Sequence, residues 1–291
     1  MGEILSEVVD VAGEPLLMRS GHSPVDRVRA SYRRPLHTGD PPMTRNQNVQ
    51  GPTASPVPFA RRETHDSVVE MMSGEPKGNV LDVPAGSGAL AIRLRETGHN
   101  VWCCDINPSH FVVHDLAIDR GDLNHTLPYT DGFFDYVVCL DGIEHTENPS
   151  NAIREFWRIL KRGGKLILST PNFLNIERRL RFVLTGSHSR IPTHESIREI
   201  WGGDLSMAHL SPLGYPLLKF MMEQYGFRIL RVETDRKKPR MKWLLPAVWL
   251  VRLCGLFSSR ERWTSYRLSE TLSQEIILGG NTLIVMAEKL A

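Results

Sequence analysis

The sequence predicts an α/β fold: a parallel sheet with helices covering both of its faces. Three observations predict it. Short apolar runs, Val80-Leu81-Asp82-Val83 and Phe133 to Leu140, lack the strict alternation of a half-exposed sheet and suit strands buried on both sides. Segments of helical period accompany them, such as Ile153, Phe156, Trp157 and Leu160 on one face. Strand and helix then alternate along the chain, and parallel strands need such crossovers.

The elements follow in order. Residues 1–58 are polar and crowded with prolines (Pro35, Pro41, Pro42, Pro52, Pro56, Pro58), which suits a flexible extension. Phe59 to Ser73 is expected to be a helix, ending in the Gly74 and Gly78 turn region. Residues 79–105 form one unit: a strand ending at Asp82, a glycine turn, a helix from Ala89 to Glu96 closed by Gly98, and a second strand ending at Asp105. A brief third strand precedes Gly121-Asp122-Leu123, and Phe133 to Leu140 is the fourth. Asn148-Pro149-Ser150 starts a helix expected to reach Arg162, with Lys161-Arg162-Gly163-Gly164 as its basic, left-handed end. Lys165 to Ser169 is the fifth strand, Pro212 to Tyr225 a helix, and Phe227 to Val232 and Asn281 to Glu288 the last strands. Two stretches, about 172–210 and 233–275, stand as insertions in a domain spanning 59–291.

Composition excludes little. A formal net charge of +2 in 291 residues gives no case for global nucleic-acid binding. The four cysteines, Cys103, Cys104, Cys139 and Cys254, have neither zinc nor disulfide spacing and suit reduced thiols in a cytoplasmic protein. Residues 1–7 lack the basic stretch and apolar run of a secretory leader.

The chemistry begins at residues 79–105. Gly86 and Gly88 let the backbone approach a ligand closely, and Asp105 ends the second strand where a nucleoside ribose would offer its hydroxyls. Gly86-Ser-Gly88-Ala-Leu-Ala91 satisfies the dinucleotide pattern, but Asp82 stands four residues before Gly86. A carboxylate there repels a pyrophosphate and attracts a cationic amine. That favours a ligand with an amino-acid end and a ribose end over a dinucleotide.

These residues, with the later ones, resemble the class I S-adenosylmethionine-dependent methyltransferases over about 78–232 plus the last strand. Leu81-Asp82-Val83-Pro84-Ala85-Gly86-Ser87-Gly88 resembles the family's first motif, with Pro84 where glycine is commoner. Asp105, Gly121-Asp122-Leu123, Phe134 to Val138 and Leu160 to Leu166 match further motifs in order. The resemblance extends to the ubiquinone-pathway O-methyltransferases and the type 11 and type 23 methyltransferase groups. It implies a Rossmann-like seven-stranded sheet with the last strand antiparallel, and S-adenosyl-L-methionine as methyl donor. It also implies a cofactor site of Asp82, Pro84, Ala85, Gly86, Gly88, Asp105, Ile106, Asp122, Leu123 and Leu140.

Asp141-Gly-Ile-Glu144-His145, with His209 further on, resembles the metal motif of the ubiquinone-pathway O-methyltransferases and of the small-RNA 2′-O-methyltransferases. Two carboxylates and two imidazoles suit Mg²⁺, Mn²⁺ or Zn²⁺, and a bound ion would lower an acceptor hydroxyl's pKa. Without a metal, His145 or His209 serves as general base.

The insertions are expected to build the acceptor pocket. The second opens with Arg236, Lys237, Lys238, Arg240 and Lys242 and continues as an apolar run from Trp243 to Phe257, a pattern of peripheral membrane contact over 236–257. It is shorter than the ~20 residues of a spanning helix. A small-molecule or lipid-linked acceptor is therefore expected, and nucleic acid disfavoured. RNA stays as the alternative, through Arg178, Arg179, Arg181 and Arg190, as does a non-catalytic binding module.

Overall fold

The computed structural model describes residues 55–201, 208–236 and 243–290. The Pro-rich extension up to residue 54, and the basic residues Lys237, Lys238, Arg240 and Lys242, lie outside them.

Seven strands form one sheet: β1 (Asn79–Asp82), β2 (Asn100–Asp105), β3 (Ile118–Arg120), β4 (Phe134–Cys139), β5 (Leu160–Pro171), β6 (Phe227–Thr234) and β7 (Thr282–Lys289). Their spatial order is β3-β2-β1-β4-β5-β7-β6, and β7 alone runs antiparallel, paired with both β5 and β6. The chain leaves β1 toward β2 and β3, then returns to the other side of β1 as β4. That reversal opens a crevice at the C-terminal ends of β1 and β4, where open sheets bind ligands.

The strands' alternating side chains feed two cores. Val80, Tyr136, Val138 and Ile167 pack on one face with α1 (Arg62–Ser73) and α2 (Ala89–Glu96). Leu81, Val137, Cys139 and Leu166 pack on the other with α3 (Pro149–Ile159) and α6 (Tyr215–Gln224). Both faces are thus buried, as the apolar runs predict. Cys103, Cys104 and Cys139 are core thiols, and burial pushes all three up in pKa, which leaves them chemically inert.

Two boundaries depart from expectation. The helix begins at Arg62, because the chain just before it crosses the glycine turn: Ser87 Oγ donates to the Val57 carbonyl at 2.7 Å and Phe59 packs over Gly86. The α3 helix ends at Ile159 rather than Arg162. Leu160 pairs with Phe134 in the sheet, and Lys161 Nζ reaches Asp135 at 2.7 Å. Gly163 does take a left-handed φ of 73°, but inside β5. Pairing with β4 outweighs the basic helix-end signal, which is worth only ~0.3–1 kcal/mol per charge.

The first insertion holds α4 (Ile176–Thr185) and α5 (His194–Trp201). The second holds α7 (Leu245–Leu256), α8 (Arg260–Ser265), α9 (Leu268–Thr271) and α10 (Gln274–Ile277). A small core of Ile176, Val248 and Ile277, with Leu180, Ala247 and Val251 against it, joins α4 to α7 and α10.

Candidate active site

The glycine turn after β1 is held from both sides. Ala85 N–H donates to the Cys104 carbonyl and Val83 N–H to Val138, each at 2.9 Å. Gly86 and Gly88 take φ values of 53° and 88°, which side-chain-bearing residues rarely adopt. A Cβ at Gly88 would lie 2.5 Å from Val113 and 2.7 Å from Phe111. Asp105 organises this turn: one carboxylate oxygen accepts the Gly86 N–H and the other the Asn107 N–H, both at 2.8 Å.

Asp82 behaves differently. It is 2% exposed, and its Oδ2 has no hydrogen-bond partner among the described residues. Burial, then the charge of Asp105, pushes its pKa from 3.8 up to about 8. A buried carboxyl with one oxygen unpartnered, beside a glycine cradle, fits a ligand that brings a cationic amine, as the amino-acid end of S-adenosylmethionine does. The Pro84 ring lies where a Cβ on Gly142 would approach to 2.4 Å, so it couples the cofactor turn to the loop after β4.

The remaining predicted cofactor residues line the same edge of the sheet. Ile106 follows Asp105 and is half-buried; Ala85 and Leu140 are buried beside the turn. Asp122 accepts from Asn124 N–H at 2.8 Å, and Asn124 Oδ1 in turn accepts from the Glu147 and Asn148 N–H groups. That network fixes the Asp122-Leu123 loop against the loop after β4.

The second half of the site lies on that β4 loop. Asp141 takes a φ of 45°, donates its N–H to Ser169 Oγ at 2.9 Å and accepts the Ser169 hydroxyl at 2.6 Å. Backbone strain of this kind concentrates at functional sites. A turn of 3-10 helix, Ile143–His145, then presents Glu144 and His145. Ligating atoms of Glu144, His145 and His209 all lie within 4.8 Å of one another, and the two imidazoles meet edge to face at 4.8 Å. Asp141 stands outside that trio, bound to Ser169.

Glu144 is fully buried, and neither of its oxygens has a hydrogen-bond partner among the described residues. Burial, reinforced by the Asp141 charge and partly offset by the Thr170 hydroxyl, holds its pKa well above the usual carboxylate range. His145 Nδ1 lies 3.0 Å from the Ala208 carbonyl, to which it donates. Burial and the neighbouring His145 lower the pKa of His209. A buried carboxyl and two imidazoles with lone pairs suit either a divalent cation or proton transfer.

Sequence reasoning missed three contributors. Phe59, edge-on to His110 at 5.7 Å, covers Gly86 from a stretch assigned to a helix. Ser169 and Thr170, read only as the end of a strand, face the carboxyls of Asp141 and Glu144. Phe173 carries the Arg178 guanidinium over its ring at 5.0 Å. Only the position of Ser169 and Thr170 at a strand's C-terminal end signals the second pair.

Comparison with known proteins gives the family and the fold. A family model described as a methyltransferase domain matches residues 59–232. The chain is 33% identical over 109 residues to the ubiquinone/menaquinone biosynthesis C-methyltransferase UbiE of Zymomonas mobilis, a match covering 34% of this chain and 45% of that protein. It is 33% identical over 102 residues to the ubiquinone biosynthesis O-methyltransferase of Pseudomonas aeruginosa, covering 32% and 44%. The matched stretch thus spans less than half the length of these relatives. The structure of a SAM-dependent methyltransferase from Archaeoglobus fulgidus superposes with a TM-score of 0.50 at 17% identity, over 77% of this chain and 94% of that one, and shares the fold. The orphaned Asp82, the Asp105-tethered glycine turn and a family match over most of the chain lead to one conclusion: this protein belongs to the class I S-adenosylmethionine-dependent methyltransferases.

Proposed function

We propose that the protein transfers a methyl group from S-adenosylmethionine to an oxygen of a small-molecule or lipid-linked acceptor. The observation that carries this reading is the trio Glu144, His145 and His209, the first two in the turn after β4, the strand beside β1 and its Asp82. S-adenosylmethionine, when bound, supplies the methyl group. Asp82 holds its amine, Asp105 its ribose, and the Asp122-Leu123 loop its adenine. The chain's remaining work is to align the acceptor and accept its proton. His145 through Nε2 and His209, kept neutral by burial, are the groups suited to that step.

The same trio would hold a divalent ion such as Mg²⁺, Mn²⁺ or Zn²⁺, and the unpartnered Glu144 oxygens fit one. The ion would lower the acceptor hydroxyl's pKa. Assaying labelled methyl transfer into fractionated small-molecule, lipid and RNA extracts tests the whole reading. Label is expected in the small-molecule or lipid fraction and to disappear in chelator. A divalent ion should restore it in the wild type but not in Glu144→Ala. Activity indifferent to chelation would assign the trio to proton transfer alone, and label only in RNA would sink the acceptor class.

The lipid-linked version draws on α7. Its inner side packs through Val248, while Trp243, Trp249, Leu256 and Phe257 are 88%, 72%, 73% and 83% exposed. Val183 and Leu184, near the end of α4, add exposed apolar surface. Among the described residues no helix is long and apolar enough to cross a membrane, so the contact would be interfacial. The wild type is expected to co-sediment with phosphatidylglycerol-containing liposomes. Trp249→Ala with Phe257→Ala should release it at least tenfold, each buried aromatic being worth ~1.5–3 kcal/mol. A wild type left in the supernatant would refute the contact.

A further inference from the structure

Arg178 lies in the first turn of α4, directly beyond the C-terminal end of β5 that carries Ser169 and Thr170. We propose that Arg178 is an anchor for an anionic group, a carboxylate or a phosphate, on the methyl acceptor. The proposal rests on the methyl-transfer reading above and names the acceptor's chemical class.

Among the described residues the arginine's charge is met by no ion pair, only by the nearby charge of Glu177. The guanidinium lies 5.0 Å over the Phe173 ring, and its one hydrogen bond among those residues, to the His188 carbonyl, is long at 3.3 Å. Among the described residues no carboxylate stands within ion-pair distance of it. Its neighbour shows the contrast: Arg179 Nε donates to the Leu174 carbonyl at 2.6 Å and Nη2 to that of Thr271, so it ties α4 to the chain after α9. A guanidinium offers five donors in a rigid fork, and the described residues accept from only one nitrogen of Arg178.

The neighbours make the gap more telling. Arg178 is close enough to His188 to help hold that ring below the ordinary histidine pKa, burial being the larger cause. His188 Nδ1 is buried without a hydrogen-bond partner among the described residues. A partly desolvated cation at a helix N-terminus meets the positive end of the helix dipole and the repulsion of Arg181, which the adjacent Glu177 offsets only in part. Sites of this kind are satisfied by a bidentate acid. Arg178 follows the strand end where Ser169 and Thr170 face the carboxyls of Asp141 and Glu144, so an acid held there would lie beside the proposed reacting groups.

The apolar surface continues from the same point. Phe182 stacks on His188 at 4.3 Å, and Val183 and Leu184 are exposed beyond it. Phe182 lies four residues after Arg178, on the same face of α4 and ~6 Å along its axis. An acidic head at Arg178 therefore has room for an apolar tail along α4.

The test uses the full chain, labelled S-adenosylmethionine and cell extract split by anion exchange, each pool divided into lipid-soluble and water-soluble parts. Label is expected in the acid-bearing pool, and its solubility tells an acidic lipid from a small acid. On that acceptor, Arg178→Met should lower kcat/KM at least tenfold, mainly through KM, and Arg178→Lys should recover part of it. S-adenosylhomocysteine affinity should stay within twofold in both variants. Inorganic phosphate, against chloride at equal ionic strength, should compete with the acceptor in the wild type and not in Arg178→Met. Label in the neutral pool, or an unmoved acceptor KM, overturns the anchor and leaves methyl transfer standing. Label in RNA overturns the small-acid or lipid class. No label anywhere, with S-adenosylhomocysteine still bound, overturns the methyl-transfer reading and the anchor with it.

Discussion

Asp105→Ala is expected to weaken S-adenosylhomocysteine binding at least a hundredfold. The carboxylate accepts the Gly86 and Asn107 N–H groups at 2.8 Å each, so its loss orphans two backbone donors as well as any ribose contact. Each unsatisfied buried donor costs ~1–3 kcal/mol, and a hydrogen bond to a charged group is worth ~1.5–3 kcal/mol. Together these exceed the ~2.7 kcal/mol that a hundredfold change in affinity represents. Asp105→Asn keeps an acceptor oxygen for one of the two N–H groups and should fall between the extremes. Calorimetric titration measures both variants. An affinity within threefold of wild type would remove Asp105 from the cofactor site.

The second large effect is a pH dependence carried by Asp82. Burial and then the Asp105 charge raise its carboxyl pKa from 3.8 to about 8, so the ligand-free protein holds it protonated at neutral pH. Gripping a cationic amine requires the carboxylate, so binding must release a proton. S-adenosylhomocysteine affinity should therefore rise with pH toward about 8, by up to ~10-fold per pH unit below it. Asp82→Asn should bind weakly with a flat profile.

The linkage runs the other way for the stability of the ligand-free protein. Between pH 3.8 and about 8 the folded state keeps a proton that the unfolded chain gives up, so stability falls as pH rises through that window. Burial raises Glu144 and Asp141 as well, which act in the same direction. Asp82→Asn should accordingly reduce the slope of thermal midpoint against pH without abolishing it. A wild-type affinity that does not change between pH 6 and 8 would show that Asp82 does not hold the amine.

The parts of the fold that were legible are those where local pattern and global packing agree. Val80 and Leu81 point to opposite cores, one with α1 and α2 and one with α3 and α6, and both faces needed apolar residues for that reason. Asn148 at the start of α3 accepts the Asn151 N–H, as its cap position predicts. The misjudged boundaries are those decided by distant partners. Lys161 to Gly164 carry every sign of a helix end, yet Asp135 and the backbone of β4 draw them into the sheet. Phe59 begins a good helical pattern, yet the turn at Gly86 and Ser87 takes it.

The sequence by itself determined the donor half of the site. Asp82, Gly86, Gly88 and Asp105 fall within 24 residues, and the crossover from β1 to β2 brings such near neighbours together in any sheet of this kind. The acceptor half that we propose was named in the sequence but brought together only in three dimensions. Glu144 and His209 are separated by 65 residues, and they meet because the β4 loop and the chain preceding α6 close over the same strand ends. Whether a carboxyl so placed is charged, and whether Arg178 finds an ion-pair partner among the described residues, depends on burial and on what the rest of the fold leaves unpaired. Composition and spacing carry no record of either.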